Sequence, residues 1–306
     1  LYILYYIVQM DSEFLLNYKF QEIDERDYIH PANLKANAPV PKLPKSVSVT
    51  NSNNIVVMNQ GNLGSCVANA FMQCISIMTN KGVSGSRLFM YFNGRAVANY
   101  PIDYDTGLTV RDGCKSISKY GICGESKWPY TISLFANLPS LEAYQKSLLF
   151  KNYTYSFVNQ DINSIKNCIN TTKKPIIFGI NVYSSFLSSS VTNTGIVPLP
   201  NTKTEQLLGG HCVLMIGYDD SKQWVICVNS WGTTWGNKGF FYLPYAYITN
   251  PALSSDFCVL TFGYSNLTSV QPSFISNGQK LSILKNLFLK NKVTPLSQMK
   301  FMTSIV

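Results

Sequence analysis

Apolar residues first settle into a regular rhythm just after Ser65. Val67, Ala70, Phe71, Cys74, Ile75 and Met78 recur at three- and four-residue steps, the period of one helix face. Ser65 stands where an N-cap belongs, and Gly82, in "TNKG", where the helix should stop. Residues 86–100, "SRLFMYFNGRAVANY", and the stretch from Thr109 to Tyr120, stopped by Gly121, predict two more helices. Further on the rhythm becomes that of strands. "PIIFGINV" (175–182), "HCVLMIGYDD", "QWVICVNS", "KGFFYLPY" and "FCVLTFGY" are apolar runs rich in β-branched and aromatic residues. The second and third flank "DDSK" and predict a β-hairpin. A helical half followed by a β half predicts an α+β protein of two lobes, with the cleft between them as the place for a site.

Residues 1–41 are of another kind. They mix apolar and acidic residues and run into "PANLKANAPVPKLP", whose prolines break regular structure. The chain therefore divides into a leader (1–41), a body (42–264) and an extension (265–306). The leader opens on "LYILYYIV", a strand or the remnant of a signal segment, and too short to span a bilayer. The extension holds "QKLSILKNLFLKNK", with Leu281, Leu284 and Phe288 on one helical face and lysines at 280, 285, 290 and 292. That pattern suits a helix docked on the body or, in a sharper reading, a contact with a membrane or a partner.

Composition changes this picture in two respects. With 46% hydrophobic and 13% charged residues, the body can form a core and is not a disordered chain. The net charge of +9 would suit nucleic acid, but the lysines are scattered and no zinc-finger, phosphate-loop or RNA-binding signature accompanies them. No nucleic-acid partner is expected. The charge is also unevenly divided. Residues 1–30 carry six acidic side chains against two basic ones, a net −4, which leaves +13 on the rest. The leader should therefore lie against the body. The eight cysteines include no C-x-x-C pair, which argues against a zinc ribbon or a dithiol redox motif, and no metal or cofactor is expected.

Only two histidines, His30 and His211, are available to any chemistry that needs an imidazole. Cys66 opens the first helix, where free N–H groups and the positive dipole end favour a thiolate. Taken alone, such a cysteine is more often a packing residue. His211 follows Leu-Gly-Gly, and Gly210 permits another chain to approach closely. Folding the hairpin about a centre near Asp220 sets His211 across from Asn229. The side-chain carbonyl of Asn229 would then orient the imidazole and leave the other ring nitrogen for sulfur. Cys212 would point to the opposite face, into the core. Gln60, six residues before Cys66, can add its amide to the Cys66 N–H as a second oxyanion donor. Trp231 is placed to keep water from the His–Asn bond. His30 precedes Pro31 in the leader and is read as a surface residue or a leader contact.

"QGNLGSCVANAF", "GGHCVLMIGYDD" and "VNSWGTTWGNKGFFYLPY", in that order, resemble the papain/cathepsin cysteine peptidase family, as does the position of His211 145 residues after Cys66. "SKYGICGESKWPY" (118–130) is similar to the same family's stretch before its Pro-Tyr. The resemblance spans about residues 42–262. It implies a papain-like fold with a helical left lobe, an antiparallel β right lobe and the active-site cleft between them. It also implies a nucleophile at Cys66, an acid/base at His211, an orienting Asn229 and an oxyanion donor at Gln60. Protein or peptide substrates would be hydrolysed through a thioester acyl-enzyme. Gly107, in "DTGLTVRDG", would line the substrate together with Gly210 and Trp231.

The departures are informative. Leu63 and Val67 stand where the family commonly has Cys and an aromatic residue, so the usual disulfide of secreted cathepsins cannot form through position 63. The chain is in this respect similar to the disulfide-poor branch of bacteria, protists and large DNA viruses. That disfavours a lysosomal or secreted location and suits a virion or cytoplasm if the chain is virus-encoded. No histidine is available for an occluding loop, which favours endopeptidase action. The leader is too short for a long helical propeptide but long enough for a short inhibitory segment in the cleft. Its carboxylates would be held by the basic body and released by acid. An acyl transferase or peptide ligase using the same Cys–His pair is the rival. A catalytically silent binding protein is the other, against which stand Cys66, His211 and Asn229 together.

Overall fold

A computed structural model describes residues 15–22, 24–31, 41–50, 55–80, 83–151 and 153–262. The opening "LYILYYIV", Gly82 and the basic extension lie outside the described residues. In chain order the elements are β1 (Ser46–Ser48), α1 (Cys66–Met78), α2 (Arg87–Val97), α3 (Val110–Tyr120), α4 (Leu141–Ser147), β2 (Tyr153–Phe157), α5 (Ile162–Thr172), β3 (Ile176–Tyr183), α6 (Ser189–Thr194), β4 (Leu207–Asp219), β5 (Trp224–Val228), β6 (Phe240–Pro244), α7 (Tyr245–Ile248) and β7 (Ser254–Phe262).

The three helices expected from periodicity form where the pattern puts them. α3 opens on a reciprocal capping box between Thr109 and Asp112 and stops at Gly121, whose φ of 71° suits glycine. α2 is capped by the Ser86 side chain, which accepts from the Phe89 N–H. β2 and the four short helices were not legible in the pattern. The strands make one antiparallel sheet in the order β2-β7-β3-β4-β5-β6, with β1 added on β4.

Each face of the sheet carries its own core. Cys212, Leu214 and Ile216 of β4 join Phe71, Met90, Val110 and Cys114 from α1, α2 and α3. Val213, Met215 and Tyr218 join Ile165 and Cys168 of α5 on the other side, together with Phe186, Trp231 and Trp235. The alternation along β4 skips a step between Ile216 and Tyr218. The cause lies in the ladder: Met215 pairs with Cys227 but Gly217 pairs with Ile226, so Ile216 is an extra residue, a one-residue bulge.

That bulge corrects the expected hairpin register. Asp219 pairs with Trp224, so the turn is Asp220–Gln223, and Leu214 pairs with Val228. Carried one step back, the ladder sets Val213, not His211, across from Asn229. His211 is its diagonal neighbour on the same face, close enough for side chains to meet.

The helical lobe is braced by a buried cation. Arg95, on α2, is fully buried. Its guanidinium donates to the carbonyls of Ile102 (2.7 Å), Tyr104 (2.8 Å) and Phe135. With Nε donating to the Tyr91 carbonyl as well (3.4 Å), the planar fork serves four carbonyls at once, which an ammonium on a longer stem cannot reproduce. Arg95→Met strands those carbonyls and is expected to cost about 3 kcal/mol. Arg95→Lys should recover only part of it. Urea unfolding of the full chain measures both.

Candidate active site

Cys66 opens α1 and is fully buried. Ser65 is the N-cap residue, but its hydroxyl makes no cap bond. It meets the Tyr130 hydroxyl instead (2.5 Å) and accepts from Asn69 Nδ2 (3.1 Å). The amides around the helix start are thereby left to the sulfur. The N–H groups of Cys212, Val67 and Cys66 itself all favour the thiolate. They do not prevail. Burial pushes the thiol up to about 12, and the charge of Asp105 adds to the rise. The expected lowering at a helix start is thus overturned in this covered state.

His211 lies on β4, one residue before Cys212, and is also fully buried. Its Nε2 is 2.8 Å from Asn229 Oδ1. That oxygen only accepts, and it accepts the Ser230 N–H as well (2.8 Å), so Nε2 carries the hydrogen. Nδ1 is buried and makes no hydrogen bond. A lone pair there can receive a proton. The indole of Trp231 stacks on the imidazole, with ring centroids 4.8 Å apart. Burial pulls His211 from 6.5 down to about 4, against the Asn229 bond, which raises it. At neutral pH the site therefore holds a thiol and a neutral imidazole, not an ion pair.

Gln60 is oriented by its surroundings. Its Oε1 accepts from the Ser230 hydroxyl (2.7 Å), which aims the amide nitrogen the other way. That nitrogen donates to the carbonyls of Leu63 (3.0 Å) and Leu15 (3.0 Å). Leu15 belongs to the leader.

The leader crosses the site as extended main chain. The Tyr18 N–H donates to the Gly210 carbonyl (3.0 Å) and the Lys19 N–H to the Leu108 carbonyl (3.0 Å). A Cβ at Gly107, where φ is +69°, would collide with the Asn17 carbonyl, and one at Gly210 would press on the Tyr18 carbonyl. These two glycines therefore let a chain lie flat on the cleft wall. The Tyr18 ring is buried beside Gly179, and its hydroxyl donates to the Asp256 carboxylate. Further along, Arg111 donates to the Glu22 carbonyl (2.9 Å) and forms an ion pair with Asp27. The His30 N–H donates to the Phe157 carbonyl (2.8 Å), which places His30 as a leader contact.

The leader's carboxylates contribute less to this contact than their number suggests. Among the described residues, Asp27 alone of them forms an ion pair with the body, while Asp24 pairs with neighbouring Arg26. Main-chain hydrogen bonds, the buried Tyr18 and the side-chain amides of Asn17, which donates to the Asp105 carbonyl, and Gln21, which accepts the Arg111 N–H, add to it. Sequence reasoning missed Tyr18, Asp256 and Asp105. No periodicity or motif marks them, because Tyr18 and Asp256 matter through where the leader lies and Asp105 through the loop it bonds at Gly64. All eight cysteines are free thiols. Among the described residues, no cluster of His, Cys, Asp and Glu is arranged for a metal.

Comparison with known proteins bears on the family and the fold. A family profile described as papain family cysteine protease matches residues 43–255. A peptidase C1-like protein of Acanthamoeba polyphaga mimivirus is 38% identical over 216 residues, covering 66% of this chain and 68% of that one. Xylellain, a cysteine protease from Xylella fastidiosa, superposes with a TM-score of 0.74 at 32% identity, covering 84% of this chain and 99% of that one. Digestive procathepsin L 3 of Tenebrio molitor shares the fold, with a TM-score of 0.54 at 21% identity, over 76% of this chain and 75% of that one.

With only two histidines, both imidazoles can be followed by NMR. In the full chain His211 should titrate near 4. Asn229→Ala removes a bond that raises it, so the midpoint should move lower still. A wild-type midpoint near 6.5 would show that His211 is not covered as described.

Proposed function

Because this chain belongs to the papain family of cysteine proteases, we propose that it is an endopeptidase that acts through Cys66 and is held latent by its own leader. Nδ1 of His211 takes the thiol proton, and the sulfur attacks the scissile carbonyl. The Gln60 amide and the Cys66 N–H stabilise the oxyanion. The imidazolium then protonates the departing amine, leaving a thioester that His211 helps water to hydrolyse. Asn229 holds the imidazole in the tautomer this sequence needs, and Trp231 screens their bond.

One observation carries this reading. The amide of Gln60 already donates to a peptide carbonyl, that of Leu15, while Gly210 and Leu108 accept from the same stretch of main chain. A substrate backbone would meet the same donors and acceptors. The leader thus lies where substrate must lie, which supports a zymogen.

Acid should open it, and the sign follows from His211. Under the leader the imidazole stays neutral down to about 4, whereas an uncovered histidine protonates near 6.5. Opening that exposes the imidazole takes up a proton between those values, so acid favours the open state across that window. Asp256 acts in the opposite sense, because burial raises it and a proton there suits the covered state.

In the wild-type full chain, a peptidyl epoxide located by mass spectrometry should label Cys66 faster at pH 4.5 than at pH 7. Equal labelling with the leader intact would sink the acid-opening idea. Tyr18→Ala should raise labelling at pH 7 by about tenfold, the loss of a buried aromatic anchor. Cys66→Ala should abolish hydrolysis of fluorogenic peptides, and residual activity would refute the nucleophile. Adding an amine acceptor and analysing the products separates hydrolysis from acyl transfer.

A further inference from the structure

Leu63 occupies the position where a thiol could have tied down the loop before the nucleophile. The structure holds that loop in another way. The Gly64 N–H donates to Asp105 Oδ2 at 2.7 Å. The other oxygen, Oδ1, accepts the hydroxyl of Tyr91, a fully buried residue of α2. The same hydroxyl accepts the Gly107 N–H at 3.0 Å. A single carboxylate and one tyrosine therefore join two backbone segments: the loop that presents Cys66, and the cleft wall on which the leader's main chain lies.

The anchor for this arrangement is rigid. Arg95 sits one turn beyond Tyr91 on α2, with its guanidinium 4.4 Å from the Tyr91 ring centroid. Its bonds to the Ile102 and Tyr104 carbonyls fix the chain just ahead of Asp105. Asp105 is thus held from one side by Arg95 and from the other by Gly64 and Tyr91.

We propose that Asp105 is a positioning residue for the reaction: a non-covalent clasp that sets the Gly64–Cys66 loop against the substrate-binding wall at Gly107. The proposal rests on Cys66 being the nucleophile. The clasp has an electrostatic signature that simple scaffolding lacks. Its negative charge lies near enough to Cys66 to oppose thiolate formation. It therefore trades some thiol acidity for alignment. The two arms also act on different things. Gly64 leads to the sulfur, so its loss should be felt in kcat. Gly107 leads to the substrate backbone, so the loss of Tyr91 should be felt in KM.

The test uses the full chain, with Asp105→Asn, Asp105→Ala and Tyr91→Phe beside wild type. Iodoacetamide modification of Cys66, located by mass spectrometry, is followed against pH, and peptide hydrolysis is measured at the pH of maximal activity. Asn keeps an acceptor for Gly64 and removes the charge. Asp105→Asn should therefore hold kcat within about threefold of wild type and move the alkylation midpoint to lower pH by roughly half a unit. Asp105→Ala should move the midpoint likewise but lower kcat by about tenfold or more. Tyr91→Phe should raise KM about threefold or more while kcat changes less. The proposal is overturned if Asp105→Asn and Asp105→Ala leave the midpoint and kcat unchanged while only the melting temperature falls. If the wild-type chain hydrolyses no peptide, the peptidase reading fails, and an unmoved alkylation midpoint would still reject Asp105 separately. Should Asp105→Ala not fold, the near-isosteric Asp105→Asn decides the matter through the midpoint.

Discussion

The hydrogen bond between His211 and Asn229 depends on a single inserted residue. In the outer part of the hairpin, Tyr218 faces Val225 and Gly217 faces Ile226. Were that register to continue, residues 211 and 229 would project from opposite faces of the sheet, because side chains alternate with a period of two. The bulge at Ile216 changes the parity. Below it Met215 faces Cys227, and the two polar side chains come to the same side. Everything else at the centre then follows locally. Asn229 Oδ1 also takes the Ser230 N–H, the Ser230 hydroxyl sets Gln60, and Trp231 closes over the imidazole.

Much of this was legible in the sequence, but unevenly. α1, α2 and α3 were visible because each carries an apolar face with a clear start or stop. The hairpin was visible as two apolar runs about a polar turn. Its register was not, since a bulge leaves no mark in the hydrophobic pattern: Ile216 and its neighbours are all apolar. Folding about Asp220 brought His211 to Asn229 only because an error of two residues preserves the face. An error of one would have separated them. The thiol's acidity was misjudged for a different reason. A helix start favours the thiolate in solvent, but Cys66 lies under a leader whose path the sequence did not disclose, and desolvation outweighs the amides.

Charge was similarly a partial guide. A net −4 over residues 1–30 against +13 over the rest suggested contact, yet Asp27 alone forms an ion pair across it among the described residues. Direction came from main-chain bonding and from one buried aromatic ring. The buried cation Arg95 was not anticipated either. Its partners are backbone carbonyls, which carry no sequence signal, and they fix the same loop whose Asp105 carboxylate accepts the Gly64 N–H.

The glycines of the cleft wall have a consequence for how such a chain can change over generations. Gly107 and Gly210 receive the leader through backbone atoms alone, and a substrate would use the same atoms. A side chain added at either position would evict both at once. On the proposed reading, a substitution at either glycine would therefore not release the leader without also closing the cleft to substrate. Loss of restraint would instead arise at body side chains such as Asp256 and Arg111, or in the leader itself, at positions such as Tyr18. That segment can vary freely only as far as its grip on the body permits, while the wall it rests on is fixed by the chemistry it serves.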